Sequence, residues 1–321
     1  MKWLLAATLV AFGLGALLGK FLLPLLHKLK FGQNIYELAP QAHQKKQGTP
    51  TMGGLMIALG ALASVLLLVR WGSSEVKLLV AMLLVAFGNL AIGLTDDLTK
   101  IRNKKNGGLT PKQKLALQTV IALAFAAWCA RQPEIGTAIL VPFLGKTFDL
   151  GVFYIPIIAF VVVGTTNSAN LLDGLDGLLS SVALADFTTL AVLASALNGS
   201  LALGCAAIAG GCMAHLLYNG YPAQVFMGDT GSMFLGGAVA ATAVILRQPL
   251  LLILIAFWMM MSSISDLIQF AYFRWTHGKR FFKMAPIHHH FELCGMPETK
   301  IVTMYFLTTI ALCLIALLGG L

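Results

Sequence analysis

The sequence predicts an all-α integral membrane protein with about ten transmembrane helices. Of its 321 residues, 58% are apolar and only 11% are charged, and the mean hydropathy is +0.83. Soluble domains carry about 45–50% apolar and about 25% charged residues, so this composition excludes a soluble enzyme and a disordered chain. The apolar residues also fall into long stretches between polar breaks, as in membrane-spanning helices. Five widely spaced cysteines offer neither a disulfide framework nor a CxxC metal site.

Each stretch is assigned to a span because about 20 mainly apolar residues cross about 30 Å of hydrocarbon as a helix. The predicted spans are 3–26, 52–69, 78–95, 115–130, 152–166, 178–197, 201–217, 233–246, 250–273 and 301–321. The first stretch is interpreted as a retained helix, since no small-residue cleavage site precedes its basic end. An even number of spans places both termini on the same side of the membrane.

Basic residues in the loops predict the orientation, because Lys and Arg near helix ends are retained in the cytoplasm. One side carries 15 Lys and Arg residues and the other side carries six. We therefore expect both termini on the outer side. A net charge of +9 would suggest nucleic acid in a soluble protein, but here topology explains it, so no nucleic-acid partner is expected. The longer outer connection, 131–151, is expected to form a small hairpin over Thr137–Phe148.

Acidic residues gather at the predicted cytoplasmic ends of the helices, where carboxylates are costly unless a cation compensates them. Asp96 and Asp97 close the third span within LTDDLTK. Adjacent carboxylates disfavour each other's ionisation, so either one takes up a proton or a divalent cation holds both as anions. A solvated acid pair at a helix end is the structural alternative, and this motif alone does not decide between them.

A second polar group lies in NSANLLDGLDG, residues 167–177. Asn167, Asn170, Asp173 and Asp176 recur every three residues, which predicts one ridge on a tight or 3₁₀-like turn. The two glycines allow the backbone to approach a ligand closely. A polar loop with turn glycines is the alternative, but four amide and carboxylate groups in register exceed what a turn requires. Such a set is suited to a nucleobase and its ribose.

A third group lies in YNGYPAQVFMGDTGS, whose polar candidates are Asn219 and Asp229. Thr230 or Ser232 is predicted to cap the following helix, which leaves amide donors and a positive dipole end near Asp229. Mg²⁺ prefers oxygen ligands, often one or two carboxylates together with substrate phosphates, and Asp229 suits that role. Phe226 is either a ligand contact or a packing residue.

Two further stretches complete the predicted inner face. KKQGTPTMGG combines Lys46 with glycines and Thr51, as in an anion site, although its lysines are equally explained as topology signals. PIHHHFE contains three consecutive histidines at 288–290. Consecutive side chains point in different directions, so a zinc site built from them alone is not expected. Imidazoles are instead able to donate hydrogen bonds to phosphate or sugar oxygens.

GTPTMGG, LTDDLTK, NSANLLDGLDG, VFMGDTGS and PIHHHFE, in that order between the spans, resemble the motifs of the phospho-N-acetylmuramoyl-pentapeptide transferase family. The resemblance covers nearly the whole chain. This family is part of the polyprenyl-phosphate N-acetylhexosamine-1-phosphate transferase superfamily, which shares the Asp-rich motifs, whereas PIHHHFE and GTPTMGG are more selective. The resemblance implies a single transmembrane catalytic domain over residues 1–321, in the bacterial cytoplasmic membrane, with its active site on the cytoplasmic face.

The implied reaction moves phospho-N-acetylmuramoyl-pentapeptide from its UDP carrier to undecaprenyl phosphate, releasing UMP and forming the first lipid-linked peptidoglycan intermediate. Mg²⁺ is the implied cofactor, membrane lipids surround the protein, and a homodimer is one candidate assembly. The implied catalytic residues are Asp96, Asp97, Asp229 and His289, with Asp229 as the metal ligand. The implied substrate-binding residues are Lys46, Thr51, Asn170, Asp173, Gly174, Leu175, Asp176, Asn219, Phe226, Gln269, His288 and His290.

Two other functions fit parts of the pattern. A sister enzyme would transfer N-acetylglucosamine-1-phosphate from its UDP carrier. A transporter or lipid flippase would carry its polar residues near the bilayer midplane, whereas these acids gather at helix ends.

Two mechanisms fit the implied transfer. In the first, the lipid phosphate attacks directly, with Asp96 or Asp97 orienting it or accepting its proton. In the second, an aspartyl phosphate forms first.

Overall fold

A computed structural model describes residues 1–28, 48–73, 75–103 and 107–320, which form a helical bundle with one small hairpin. The helices are α1 (Lys2–Lys28), α2 (Gly54–Leu68), α3 (Val76–Asn103), α4 (Pro111–Arg131), α5 (Tyr154–Leu172), α6 (Leu178–Ser195), α7 (Gly199–Asn219), α8 (Gly228–Ile245), α9 (Leu252–Ile255), α10 (Phe257–Trp275), α11 (Ile287–Leu293) and α12 (Glu298–Gly320). The strands are β1 (Ala138–Val141) and β2 (Lys146–Asp149), and 3₁₀ turns at Gly151–Phe153 and Pro249–Leu251 precede α5 and α9.

The predicted class, an all-α protein that crosses the membrane several times, is confirmed. Most of each predicted apolar stretch lies in one of these helices or in the pair of α9 and α10. Within the described ranges, seven helices are long and apolar enough to cross a membrane, or eight if the bent pair of α9 and α10 counts as one span. The shorter α2, with 15 residues, falls outside that group. A total of ten spans and the orientation of the chain in the membrane remain predictions.

The predicted span 250–273 is not one continuous helix. It is divided into α9 and α10, whose axes differ by 85°. The break lies at Ala256, whose backbone (φ −97°, ψ 28°) leaves the helical region. Contacts with α12 hold the start of α10: the Trp258 ring stacks on Tyr305 at 3.8 Å between centroids, and its indole N–H donates to Thr308 at 2.6 Å. These tertiary contacts are invisible in the apolar pattern, and the bend leaves a groove beside α5.

The bundle has two chemically different ends. At one end the Asn170 amide at the end of α5 donates to the Asp229 carboxylate at the start of α8, so the motif-bearing helix ends meet there. At the opposite end, β1 is bound to the chain after α8 by the Leu140 N–H to Arg247 carbonyl hydrogen bond, 2.7 Å. Gln248 donates to the carbonyl of Gly320 at the end of α12 at 3.0 Å. We call these the site end and the hairpin end.

The hairpin predicted between α4 and α5 is confirmed. Its antiparallel register pairs Ala138 with Asp149 and Val141 with Lys146. The Thr137 hydroxyl donates to the Asp149 carboxylate at 2.6 Å, which closes the hairpin at its base. The backbone N–H of Gly151 donates to the same carboxylate, and these two bonds lower the pKa of Asp149.

Glycine allows α1 and α7 to pack closely at one point. A Cβ on Gly210 of α7 would overlap the carbonyl oxygen of Thr8 in α1, whereas a Cβ on Gly13 would meet nothing within 4 Å. We expect Gly210→Ala to destabilise the folded protein by about 1–3 kcal/mol, because a helix interface without free volume must shift to admit a methyl group. Thermal unfolding in detergent measures the effect against Gly13→Ala, and equal stability of the two variants would contradict this close approach.

Candidate active site

Three carboxylates meet at the site end. One oxygen each of Asp96, Asp97 and Asp229 lies within 4.8 Å of the others. Asp96 and Asp97 come from the end of α3, and Asp229 comes from the first turn of α8. Gly93 makes this convergence possible, because a Cβ at that position would overlap the carbonyl group of Asp229. The sequence therefore brings the first and third acidic motifs together through a glycine one turn before the acid pair.

Asp97 caps α8 from another helix. Its carboxylate accepts hydrogen bonds from the backbone N–H groups of Asp229 (3.3 Å) and Thr230 (3.0 Å) and from the Thr230 hydroxyl (2.7 Å). The prediction that Thr230 or Ser232 caps this helix is wrong. Ser232 donates instead to the carbonyl of Gly228. An ionised carboxylate is the stronger acceptor for N-terminal amides, so a residue from α3 supplies the cap.

Two lysines neutralise the acids. The Lys100 ammonium lies 2.7 Å from Asp96 Oδ2 and 3.2 Å from Asp229 Oδ2. The Lys114 ammonium lies 3.0 Å from the same Asp96 oxygen and also pairs with Asp229 Oδ2. The acids and lysines thus form a ring of alternating charge, with Asp96 fully buried. Its partly exposed members are Asp229 and the two lysines.

These lysines are the functional candidates that sequence reasoning missed. From the sequence, Lys100 and Lys114 are predicted only to set the orientation of the chain. Lys100 follows Asp96 by four residues on one helix face, a spacing that would have indicated the ion pair. No sequence spacing indicates the ion pairs of Lys114, because its distance to Asp96 and Asp229 depends on how α4 packs against α3 and α8. A capping box between Thr110 and Gln113 fixes the start of that helix.

The second motif also contributes to the cluster. Asn170 donates to Asp229 Oδ1 at 2.9 Å and to the Ser232 hydroxyl at 2.8 Å, which fixes the orientation of the Asp229 carboxylate. Asp173 follows the end of α5 and accepts a hydrogen bond from the backbone of Gly228. Desolvation raises the pKa of Asp173 to about 8, and the negative charges of Asp229 and Asp97 add to the shift.

The predicted single ridge of polar residues is not formed. Asn167 turns away from the acids and donates to Gln118 of α4 at 2.8 Å, while Asn170 faces Asp229. The reason is that α5 continues to Leu172, so the two asparagines lie on a helix and the two aspartates on the turn after it.

Asp176 and Asn219 connect the turn after α5 to the loop after α7. Asp176 accepts a hydrogen bond from the backbone N–H of Ala223 at 2.9 Å. Asn219 accepts from the backbone N–H of Gly177 at 2.9 Å and donates to the carbonyl of Val225 at 2.8 Å. Both side chains are buried. They form a polar frame that holds the loop carrying Phe226.

Phe226 and Thr51 lie on two paired segments. The backbone of Phe226 donates to the carbonyl of Pro50 and accepts from the N–H of Gly53, each at 2.8 Å. The ring of Phe226 is half-buried, and Thr51 is buried beside Gly228 at the start of α8. Lys46, the remaining predicted residue of this motif, lies outside the described residues.

The histidine motif packs against the second motif. His288 of α11 is buried next to Gly174, where a Cβ would overlap its Nε2 atom. The neighbouring Leu175 is buried as well. The absence of a side chain at Gly174 therefore lets α11 approach the turn that carries Asp173.

The other two histidines point elsewhere, as consecutive side chains are expected to do. His289 Nδ1 lies 2.6 Å from a carboxylate oxygen of Glu292. His290 Nδ1 accepts a hydrogen bond of 3.1 Å from the backbone of Lys283. Gln269 of α10 accepts one of 2.8 Å from the backbone of Phe282. Gln269 and His290 thus hold the segment before α11, at the border of the site.

An apolar groove lies between α5 and the bent pair of α9 and α10. It has a volume of about 640 Å³ and runs along α5 from Phe160 to Leu171, facing α9 and α10. Its surface is mostly apolar, and its polar lining residues are Thr165, Asn167, Ser168, Ser263 and Asp266. The last lining residue on α5, Leu171, is adjacent to Asn170, which donates to Asp229. The groove therefore extends to the last turn of α5, the turn that also carries Asn170.

The donor set of the cluster fits a hard divalent cation, because its ligand atoms are carboxylate oxygens. The carboxylate of Asp97 already accepts hydrogen bonds from the first turn of α8, and Asp96 is fully buried. Asp229 is the most accessible of the three acids, with 14% of its side chain exposed. Asp229 is thus the acid best placed to bind a metal together with an incoming substrate.

The apolar helices, the buried cluster of acids and lysines, and the apolar groove along α5 define a polytopic membrane protein with a site suited to a divalent cation and to phosphate groups. A family model described as glycosyl transferase family 4 matches residues 79–247, and signature 1 of phospho-N-acetylmuramoyl-pentapeptide-transferase matches residues 46–57. Proteins of that name from Clostridium novyi and Clostridium kluyveri are each 46% identical over 320 residues, covering 99% of this chain and 97% and 100% of the relatives. One from Clostridium botulinum is 42% identical, covering 98% of this chain and 96% of the relative. The chain belongs to the phospho-N-acetylmuramoyl-pentapeptide-transferase family.

Proposed function

We propose that this protein transfers phospho-N-acetylmuramoyl-pentapeptide from UDP-N-acetylmuramoyl-pentapeptide to undecaprenyl phosphate with Mg²⁺ as cofactor, releasing UMP. The observation that supports this most strongly is the cluster of acids and lysines at one end of a membrane bundle, together with an apolar groove that extends along α5 to Leu171, the residue after Asn170. A polyprenyl chain needs the groove, and two phosphate-bearing reactants need the cations. The reaction thus takes place in a single catalytic domain in the bacterial cytoplasmic membrane, at its inner face.

The cations allow two anions to approach. Phosphoryl transfer depends mainly on alignment and charge neutralisation. Lys100 and Lys114 supply two positive charges within the cluster. Asp229 would hold the magnesium ion, which would supply further neutralisation of the diphosphate and of the departing UMP. Asn170 keeps the Asp229 carboxylate oriented for this purpose.

The acceptor lies on the groove side. The polyprenyl chain packs along α5, and its phosphate reaches the cluster past Leu171. Because much of that phosphate is already deprotonated near neutral pH, direct attack on the diphosphate requires little from a base. Asp96 contributes by holding both lysines. Asp97 contributes by fixing the start of α8, on which Asp229 lies.

The UDP-linked substrate binds next to the polar frame that Asp176 and Asn219 form. Phe226 stacks on the uracil ring, and the turn of Asp173, Gly174 and Leu175, together with Thr51 and Lys46, completes the nucleotide pocket. His288, His289 and His290 with Gln269 lie toward the sugar and diphosphate. The half-buried ring of Phe226 and the packing of His288 against Gly174 support this placement.

The donor assignment is tested with purified protein in detergent, undecaprenyl phosphate and Mg²⁺. UDP-N-acetylmuramoyl-pentapeptide and UDP-N-acetylglucosamine are supplied separately, and UMP release and lipid product are followed. We expect product from the first donor and essentially none from the second. Preference for the second donor would indicate the sister activity. Movement of lipid across vesicles without a covalent product would indicate a transporter.

The groove assignment predicts a selective defect in acceptor binding. Gly164 lines the groove, and a Cβ there would meet nothing within 4 Å. Gly164→Phe is therefore expected to fold but to fill part of the groove, which raises KM for undecaprenyl phosphate about tenfold. KM for the UDP-linked donor should stay unchanged. Gly13→Phe is the matched control on open space away from the groove, and an equal effect of both variants on the acceptor KM would refute the assignment.

A further inference from the structure

Lys100 and Lys114 share their acceptors in an unusual way. Both ammonium groups pair with the same oxygen of Asp229, and both pair with the same oxygen of Asp96. The second oxygen of Asp229 accepts the Asn170 amide. The Asp229 carboxylate therefore already serves three nitrogen donors, while it is also the acid best placed to bind a divalent cation.

These contacts are incompatible with a metal on the same oxygen. Mg²⁺ binds oxygen at about 2.0–2.1 Å in a nearly octahedral shell and repels neighbouring cations. Two ammonium groups within about 3 Å of that oxygen would add strong repulsion, since unit charges about 4 Å apart interact by about 4 kcal/mol at an effective dielectric of about 20. At least one ammonium must leave Asp229 before the metal is bound there.

The arrangement gives the displaced lysines somewhere to go. Asp96 is fully buried and holds both ammonium groups independently of Asp229. The lysine side chains are 28% and 20% exposed, so neither is enclosed on all sides by the protein. Asp96 thus keeps the ammonium groups at the site while Asp229 changes partner.

We propose that Lys100 and Lys114 are exchangeable ligands: they compete with the divalent cation for Asp229 and, once displaced, bind the phosphate oxygens of the substrates. This inference rests on the proposed function and adds a coupling to it. Phosphate that binds the lysines removes them from Asp229 and so strengthens metal binding. By reciprocity, bound metal strengthens phosphate binding by the same factor. The two lysines prevent tight metal binding until a substrate phosphate is present.

The competition is measured with Mn²⁺ as a spectroscopic probe, by electron paramagnetic resonance on protein in detergent without substrate. Lys114→Met and Lys100→Met are expected to bind Mn²⁺ about tenfold more tightly than wild type, because a competing charge is removed. The control is Lys112→Met, which makes the same charge change on the exposed side of α4 and should leave the affinity unchanged. Unchanged or weaker Mn²⁺ binding in both test variants would overturn the proposal.

A second measurement uses the wild-type protein, so it remains informative if a lysine variant folds poorly. It also distinguishes a failure of the lysine exchange from a failure of the proposed function. Wild-type Mn²⁺ affinity is titrated with farnesyl phosphate, a short polyprenyl phosphate, and should rise severalfold. The rise should be clearly smaller in Lys114→Met, and an equal rise in both proteins would contradict the exchange. Asp229→Asn should abolish the Mn²⁺ site altogether. If it does not, the metal assignment of the proposed function fails, whatever the lysine variants show.

Discussion

Asp229→Asn is expected to lower transferase activity by about a thousandfold or more. The amide has one acceptor oxygen in place of two and no negative charge, so it neither holds a divalent cation nor balances Lys100 and Lys114. Charge stabilisation by a bound metal is worth several kcal/mol in the transition state, and each 1.4 kcal/mol corresponds to about a factor of ten. UMP release and lipid product at saturating Mg²⁺ measure the loss.

The variant must remain folded for this result to count. Its thermal unfolding in detergent should stay close to that of wild type, because Asp229 lies at the rim of the cluster and its side chain is partly exposed. Asp149→Asn is the matched control, with the same chemical change on the hairpin at the other end of the bundle, and should keep full activity. Substantial magnesium-dependent turnover by Asp229→Asn would refute the metal assignment.

Asp97→Asn is expected to lower activity about a hundredfold and to weaken metal binding, although Asp97 is not assigned as a ligand. Its carboxylate holds two backbone N–H groups and one hydroxyl at the start of α8. An asparagine offers a weaker, uncharged acceptor, so the first turn of α8 and Asp229 with it should shift. A misplacement of about 1 Å in a site of this kind costs about a hundredfold in rate.

Thr230 variants separate positioning from direct chemistry. Thr230→Val removes one of the three hydrogen bonds to Asp97 without altering any carboxylate, while Thr230→Ser retains the hydroxyl. Mn²⁺ affinity and activity should both fall in Thr230→Val, by less than in Asp97→Asn, and stay near wild type in Thr230→Ser. If Asp97→Asn loses activity but Mn²⁺ affinity is unchanged in every variant, Asp97 acts on the substrate rather than on α8.

Much of the fold is predictable because a membrane span has a strong local signature. Most of each apolar stretch becomes helical, and the hairpin at Ala138–Asp149 lies in the long connection between two predicted spans. The break at Ala256 is not predictable in this way. It depends on contacts of Trp258 with Tyr305 and Thr308, which are distant in sequence.

The sequence predicts which acidic residues form the site, but it does not predict their hydrogen-bond and ion-pair partners. Carboxylates at helix ends are expensive, so Asp96, Asp97 and Asp229 stand out as residues that require partners. The partners themselves depend on packing: Gly93 allows α3 to reach α8, and Asp97 rather than Thr230 supplies the cap. Lys114 approaches the acids from a helix whose placement no local pattern encodes.

In the proposed reaction, one cluster that holds two lysines and a divalent cation brings a UDP-linked donor and a lipid phosphate together, and the transfer occurs in a single step. The most direct test mixes purified protein, UDP-N-acetylmuramoyl-pentapeptide and Mg²⁺, with and without undecaprenyl phosphate, and quantifies UMP and lipid product. We predict equal amounts of both, formed only when acceptor and metal are present and abolished by chelation. Release of one equivalent of UMP per protein without acceptor, or product formation that chelation leaves unchanged, would contradict this account.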